Sequence, residues 1–244
     1  MNRPVSMHEA ETPFSASDVS AESNEIEDFI YLISHDVRNS VRALIELPQW
    51  IAEDLAEAGV KVEGRVAENI ALMNRHTGRL DRMLVDLLTF SRVGRMQPVE
   101  QVDLNAALDE VLEEMRIPTG FKIQREFDCD DVIMGERDVL TLFTALISNS
   151  IKHHDRSDGE ISISCNRDGK YLVVSVRDNG PGIAAGYHNR VFGVMTTLKP
   201  RDEVEGSGMG LAIARKIAET YNGDAKVIEN EDGRGVTLQV RLIA

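Results

Sequence analysis

The chain reads as an α+β protein, an antiparallel helical hairpin followed by a two-layer α/β sandwich. Three observations carry that reading. Before residue 94, apolar residues recur three and four apart over two long stretches; beyond it, short alternating runs interleave with short helical ones; and glycine and proline mark the join. A length of 244 residues suits two modest domains. The boundaries we expect are a disordered lead over residues 1–24, a hairpin over 25–94, a linker over 95–98 and the mixed domain over 99–244.

The lead is rich in Ser, Glu and Ala and poor in large apolar groups. It has neither a basic start nor an apolar core, and no later run approaches the roughly 20 apolar residues that span a bilayer. No signal peptide and no membrane insertion are expected. The first helix, over 25–58, is built on a seam of Ile26, Phe29, Ile33, Val37, Leu44, Leu47, Ile51 and Leu55. A turn at 59–64 leads to a second helix through Val66, Ile70, Met73, Leu80, Leu84, Leu87 and Ser91. One hairpin leaves a long apolar stripe uncovered, so a homodimer forming a four-helix bundle is expected.

Pro48 lies inside the first helix, where it deletes a hydrogen bond and predicts a bend. Thr77 and Gly78 of the second helix stand near the same level, so both helices are expected to weaken there. Trp50, Met73 and Met83 read as packing groups. His35 stands off the seam: two residues along a helix is a rotation of about 200°, away from both Ile33 and Val37. Its face-mates are Asp28, Tyr31, Asn39, Arg42 and Glu46, and its neighbour is Asp36. An accessible imidazole beside a carboxylate can take a phosphoryl group.

In the mixed domain, Asp103 is the N-cap expected for a helix over 104–115. A strand over 121–127 and a helix over 139–152 follow, then a hairpin of strands at 161–165 and 172–177. A helix at 211–221 and strands at 225–229 and 235–243 complete the domain. With 27 Lys+Arg against 41 Asp+Glu, the formal charge of −14 repels nucleic acid and anionic membrane, so neither is an expected partner. Cys129 and Cys165 lack metal-ligand spacing and read as free thiols in a reducing, cytoplasmic setting.

Three segments look like one nucleotide site. In residues 146–153, Asn149 and Lys152 are three apart on a helix and project together; an amide oxygen suits magnesium, a lysine suits phosphate. Asp178-Asn179-Gly180-Pro181-Gly182 joins a carboxylate, able to accept from an exocyclic amine, to a glycine-rich turn. Gly206-Ser207-Gly208-Met209-Gly210-Leu211 runs straight into a helix, whose first amides and dipole favour an anion. This last segment has neither dinucleotide-fold nor P-loop spacing, which excludes both. Each segment alone is commonplace; in this order they are specific.

In that order they resemble the catalytic core of bacterial sensor histidine kinases. HDVRNSVRAL at 35–44 resembles the phosphoacceptor box, 146–153 the N box, DNGPGI at 178–183 the first glycine box, RVFGVMTTL at 190–198 the F box and GSGMGLAIARKI at 206–217 the second glycine box. The resemblance spans about residues 25–244 and implies a gyrase-type ATP-binding domain after a dimerisation and phosphotransfer hairpin. It implies ATP and magnesium as cofactors, with Asn149 as metal ligand, Asp178 as acceptor of the adenine amine, and Gly180 and Gly182 beneath the base. Lys152, His153, Ile183, Phe192, Ser207, Met209 and Leu211 are implied in nucleotide binding, and Gly206, Gly208 and Gly210 as the hinge of a short lid over 197–205 carrying Lys199 and Arg201.

The resemblance further implies autophosphorylation of His35, with Asp36 as base, and transfer to an aspartate on a response regulator receiver domain. Asn39, one turn on from His35, implies a phosphatase activity toward the same partner. Three positions depart from the pattern: Ser40 replaces a proline, Met195 a second phenylalanine, and Ala145 a polar residue. Two rivals were weighed, a phosphotransfer relay with an inactive ATP domain and an ATP-hydrolysing machine. Intact Asn149, Asp178 and glycine boxes oppose the first; Ala145, unable to activate water, and the His35 hairpin oppose the second. Residues 1–24 are too polar to form a sensor, so a separate sensor protein is expected. His76, His154 and His188 read as solvated or loop residues.

Overall fold

The computed structural model describes residues 16–198, 206–231 and 233–243. Two long helices come first, α1 (Ala16–Glu57) and α2 (Arg65–Arg92), packed antiparallel. α1 thus takes in residues 16–24, part of the stretch expected to be a disordered lead; residues 1–15 lie outside those described. Two polar contacts fix the register. Arg92 donates to the Tyr31 hydroxyl at 3.2 Å with its guanidinium over the ring, and Arg38 donates to Asp81 at 3.2 Å.

The stripe of α1 that packs against α2 is not the expected seam. Among the described side chains of α1, Ser34, Val41 and Pro48, seven apart as one heptad position, are buried, and Leu84, Leu88 and Ser91 are the buried residues of α2. Ile33, Val37, Leu44, Leu47 and Ile51 are exposed, as are Trp50 and Met73, which were expected to be packing groups. A helix in a single hairpin covers one stripe only, and α1 is apolar over more than one. Both helices run on without interruption through Pro48 and through Thr77 and Gly78, Thr77 bonding back to the Met73 carbonyl at 2.9 Å.

The second domain contains β1 (Glu100–Asp103), α3 (Leu104–Glu114), β2 (Lys122–Phe127), β3 (Asp131–Met134), α4 (Glu136–Lys152), β4 (Glu160–Asp168) and β5 (Tyr171–Asp178). It ends with α5 (Gly210–Thr220), β6 (Asp224–Glu229) and β7 (Val236–Ile243). Asp103 caps α3 as expected, its carboxylate accepting from Asn105 and Ala106 amides at 2.8 and 3.0 Å. The main sheet runs β2-β4-β5-β7-β6, with β2 parallel to β4 through the α4 crossover and the other pairs antiparallel. Strands β1 and β3, with no counterpart for either in the sequence reading, form a separate antiparallel pair.

One face of the sheet is buried by period-2 alternation: Ile161, Ile163 and Cys165; Leu172, Val174 and Val176; Val236, Leu238, Val240 and Leu242. Phe143, Leu146 and Ile147 of α4 and Ile213 and Ile217 of α5 belong to the same core. Each large aliphatic group buried there contributes about 1.5–3 kcal/mol. Cys129 and Cys165 are free and buried, and burial pushes both thiols up, away from the reactive thiolate. No helix among the described residues is long and apolar enough to cross a membrane.

The domains meet where α2 ends. The Gly94 amide and the Tyr221 hydroxyl both donate to Asp138 Oδ2, at 2.8 and 3.0 Å, and Tyr221 accepts from the Gly135 amide at 3.0 Å. Lys216 of α5 lies 4.4 Å above the Phe90 ring of α2. This joint sets one face of α2 against the second domain.

Candidate functional site

Asp178 ends β5, paired with Ile161 of β4 and Val236 of β7, and is 6% exposed. A buried carboxylate needs donors, and Asp178 has two: the Ser150 hydroxyl at 3.0 Å on Oδ2 and the Gly180 amide at 2.9 Å on Oδ1. Its backbone carbonyl accepts from Asn230 Nδ2 at 2.9 Å. The turn that follows is pressed against Gly235, where a Cβ would lie 1.9 Å from the Asp178 carbonyl oxygen and φ is +73°. Only glycine fits there.

Behind Asp178, the Asn179 side-chain oxygen accepts from the Glu160 amide and from His154 Nε2, each at 2.9 Å. The His154 side chain is 1% exposed and meets Phe121 edge-on at 5.1 Å. His154 is a loop residue, as expected, and its buried side chain is a strut of this turn. His188 donates from Nε2 to the Ile183 carbonyl at 2.7 Å, tying down the far side of the same glycine box.

A cavity of about 610 Å³ opens beside this turn. Asn149, Lys152 and His153 at the C-terminal end of α4 line it, with Asp178, Gly182, Ile183, Gly206, Ser207, Gly208, Gly210 and Leu211. Gly208 has φ +77°, and a Cβ there would lie 2.6 Å from the Thr196 carbonyl oxygen, so the loop into α5 lies close against the F-box segment. Three implied nucleotide contacts stand elsewhere. Gly180 is behind the wall, bonded to Asp178; Phe192 is core, 3% exposed with the Arg215 guanidinium over its ring; and Met209 is fully buried, its amide donating to Ser207 Oγ at 3.1 Å. Lys199 and Arg201 lie outside the described residues.

The wall opposite is unannounced in the sequence: Arg82, Val85, Asp86 and Thr89 of α2, spaced to share one helix face. The lining thus includes a fixed carboxylate, Asp178, and the glycines that lead into the N-terminus of α5, where free amides favour an anion, and the volume lies in the usual ligand range. No cluster of three metal-ligating carboxylates, imidazoles or thiols exists among the described residues. A magnesium ion held mainly by phosphates, with Asn149 as a protein ligand, fits this donor set.

His35 is 57% exposed at its side chain, with Nδ1 3.2 Å from Asp36 Oδ1. Asn39 is exposed one turn on. None of the three lines the cavity. The contacts of Tyr31 with Arg92 and of Arg38 with Asp81 bracket His35, so it lies across the hairpin from the stretch of α2 that forms the cavity wall.

Residues 134–243 match the family described as histidine kinase-, DNA gyrase B- and HSP90-like ATPase. The methanogenesis regulatory histidine kinase FilI of Methanothrix harundinacea is 33% identical over 228 residues, covering 91% of this chain and 25% of the relative. The chain thus spans about a quarter of that relative's length. Among solved structures, full-length ShkA in complex with AMPPNP aligns with a TM-score of 0.67 at 20% identity, over 88% of this chain and 45% of the other. The histidine kinase ThkA in complex with the response regulator TrrA aligns with a TM-score of 0.62 at 19% identity, over 96% and 67%. Both structural likenesses bear on the fold: a helical hairpin carrying an α/β domain.

Proposed function

Because residues 134–243 form a domain of the histidine kinase-, DNA gyrase B- and HSP90-like ATPase family and the chain resembles the catalytic core of sensor histidine kinases, we propose that it transfers the terminal phosphoryl of ATP to its own His35. The observation that carries this reading is the alignment of two features at one level of the hairpin. The cavity wall on α2 and the exposed imidazole on α1 stand opposite each other.

In this reading Asp178 accepts the adenine amine, held by Ser150 and Gly180, while the glycine loop before α5 receives the phosphates. Asn149 would hold magnesium, which would supply charge neutralisation on the triphosphate when bound. Asp36 accepts from Nδ1–H of His35, which leaves the Nε2 lone pair facing solvent as the nucleophile. Nε2 forms the new N–P bond as the bond from phosphorus to the bridging oxygen of ADP breaks. The phosphoryl then passes to an aspartate of a response regulator receiver domain; in a separate phosphatase reaction Asn39 orients water to attack that aspartyl phosphate, breaking its P–O bond and releasing inorganic phosphate. The exposed apolar stripe of Ile33, Val37, Leu44 and Ile51 is covered by a second copy, giving a four-helix bundle.

Incubation with ATP labelled at its terminal phosphate tests the proposal. Wild-type chain should take up acid-labile label, and His35→Gln and Asn149→Ala should not. A wild-type chain that binds ATP and never labels contradicts it.

A further inference from the structure

Asp86 is the acidic member of the α2 wall, and its position is chemically pointed. Its carboxylate accepts from the Ser207 hydroxyl, and Ser207 Oγ in turn accepts from the Met209 amide at 3.1 Å. Asp86, Ser207, Gly208 and Gly210 all line the one cavity. The hairpin therefore inserts an anion into the loop that opens α5, where the first helical amides and the dipole favour negative charge. The contact is backed further along the chain: Lys216 packs over Phe90 one turn on in α2, and Gly94 just beyond α2 is bonded to Asp138.

Resting on the ATP-binding reading above, we propose that Asp86 is a built-in competitor for the phosphate end of the nucleotide. It occupies the glycine loop through Ser207, and a triphosphate must displace it to bind. Two anions cannot share this loop without repulsion, so phosphate entry breaks the Asp86–Ser207 contact and loosens the second domain from α2. The adenine end is untouched, because Asp178 and its donors lie on α4, at the end of β5 and in the turn that follows it. Asp86 thus sets how much the phosphates add to affinity and couples their arrival to release of the hairpin.

The test is calorimetric titration of the full chain, with magnesium, using ATP and separately adenosine, for wild type, Asp86→Asn and Asp86→Ala. Asparagine keeps the shape and removes the charge; alanine removes both, so the two variants guard against a folding defect in either. The expected result is ATP affinity raised on the order of tenfold in both variants, from removal of one like-charge interaction, with adenosine affinity unchanged. ATP affinity equal to or below wild type overturns the proposal while leaving the ATP site intact. Failure of every form to bind ATP overturns both this proposal and the reading it rests on.

Discussion

The bond from Ser150 to Asp178 offers the sharpest test of how the site is built. Both groups are buried, at 2% and 6% exposed, and the hydroxyl lies 3.0 Å from Oδ2. Ser150→Ala removes one of two donors to a carboxylate and no carbon, so the cavity term is small. A hydrogen bond to a charged group contributes about 1.5–3 kcal/mol, and that is the predicted loss in unfolding free energy. For a chain of this size it lowers the melting temperature by roughly 3–10 °C. Urea unfolding followed by circular dichroism is the assay, because the single tryptophan, Trp50, sits in the hairpin and does not report on the second domain. In an Asp178→Asn background the same substitution should cost about 1 kcal/mol less, since the partner is no longer charged. Adenosine and ATP affinities should both fall, by a similar factor. A Ser150→Ala chain within about 0.5 kcal/mol of wild type refutes the view that Asp178 is held by donors on two elements.

Further outcomes follow from other contacts. Gly235→Ala places a Cβ 1.9 Å from the Asp178 carbonyl oxygen at φ +73°, so it should cost more than about 2 kcal/mol and weaken ATP binding, read by the same unfolding and titration measurements. Burial pushes the Tyr221 hydroxyl from its ordinary 10.0 up to about 12, so the folded chain holds that proton longer than the unfolded one. Stability from this group is intact below about pH 10 and lost as pH rises toward about 12; Tyr221→Phe should abolish that loss, at a cost of about 1–2 kcal/mol at neutral pH from the broken link between Asp138 and Gly135. Leu44→Lys, on the exposed apolar stripe at 47% exposure, should turn the proposed dimer into a monomer in sedimentation while leaving the fold of each chain intact by circular dichroism.

The elements with a strong period were legible in the sequence. Apart from the start of α1, which runs back to Ala16, the helices and the last two strands lie near their observed limits, and the β4–β5 hairpin is in place, because each is long enough to repeat its pattern. β1 and β3 are four residues each, too short for alternation to register. On α1, periodicity revealed that the helix is apolar, but which stripe faces α2 depends on the partner helix; the answer was Ser34, Val41 and Pro48. Within the site, Asp178, Asn149 and the glycines announce themselves through unusual residue types at a turn. Ser150, Asn230 and His154 do not, since their roles exist only once α4, β5 and the 230–235 turn are brought together. Asp86 was invisible for the same reason: along the chain it is one more carboxylate on a helix.

The central claim is that His35 is the group that accepts the phosphoryl. After reaction of the full chain with ATP and magnesium, digestion at neutral pH and mass spectrometry of the peptides locate the modification directly. The account predicts an acid-labile phosphoryl on the peptide containing His35 and on no other, absent from Asn149→Ala. A phosphoryl on a different residue, or an unmodified His35 in a chain that binds and consumes ATP, would contradict it.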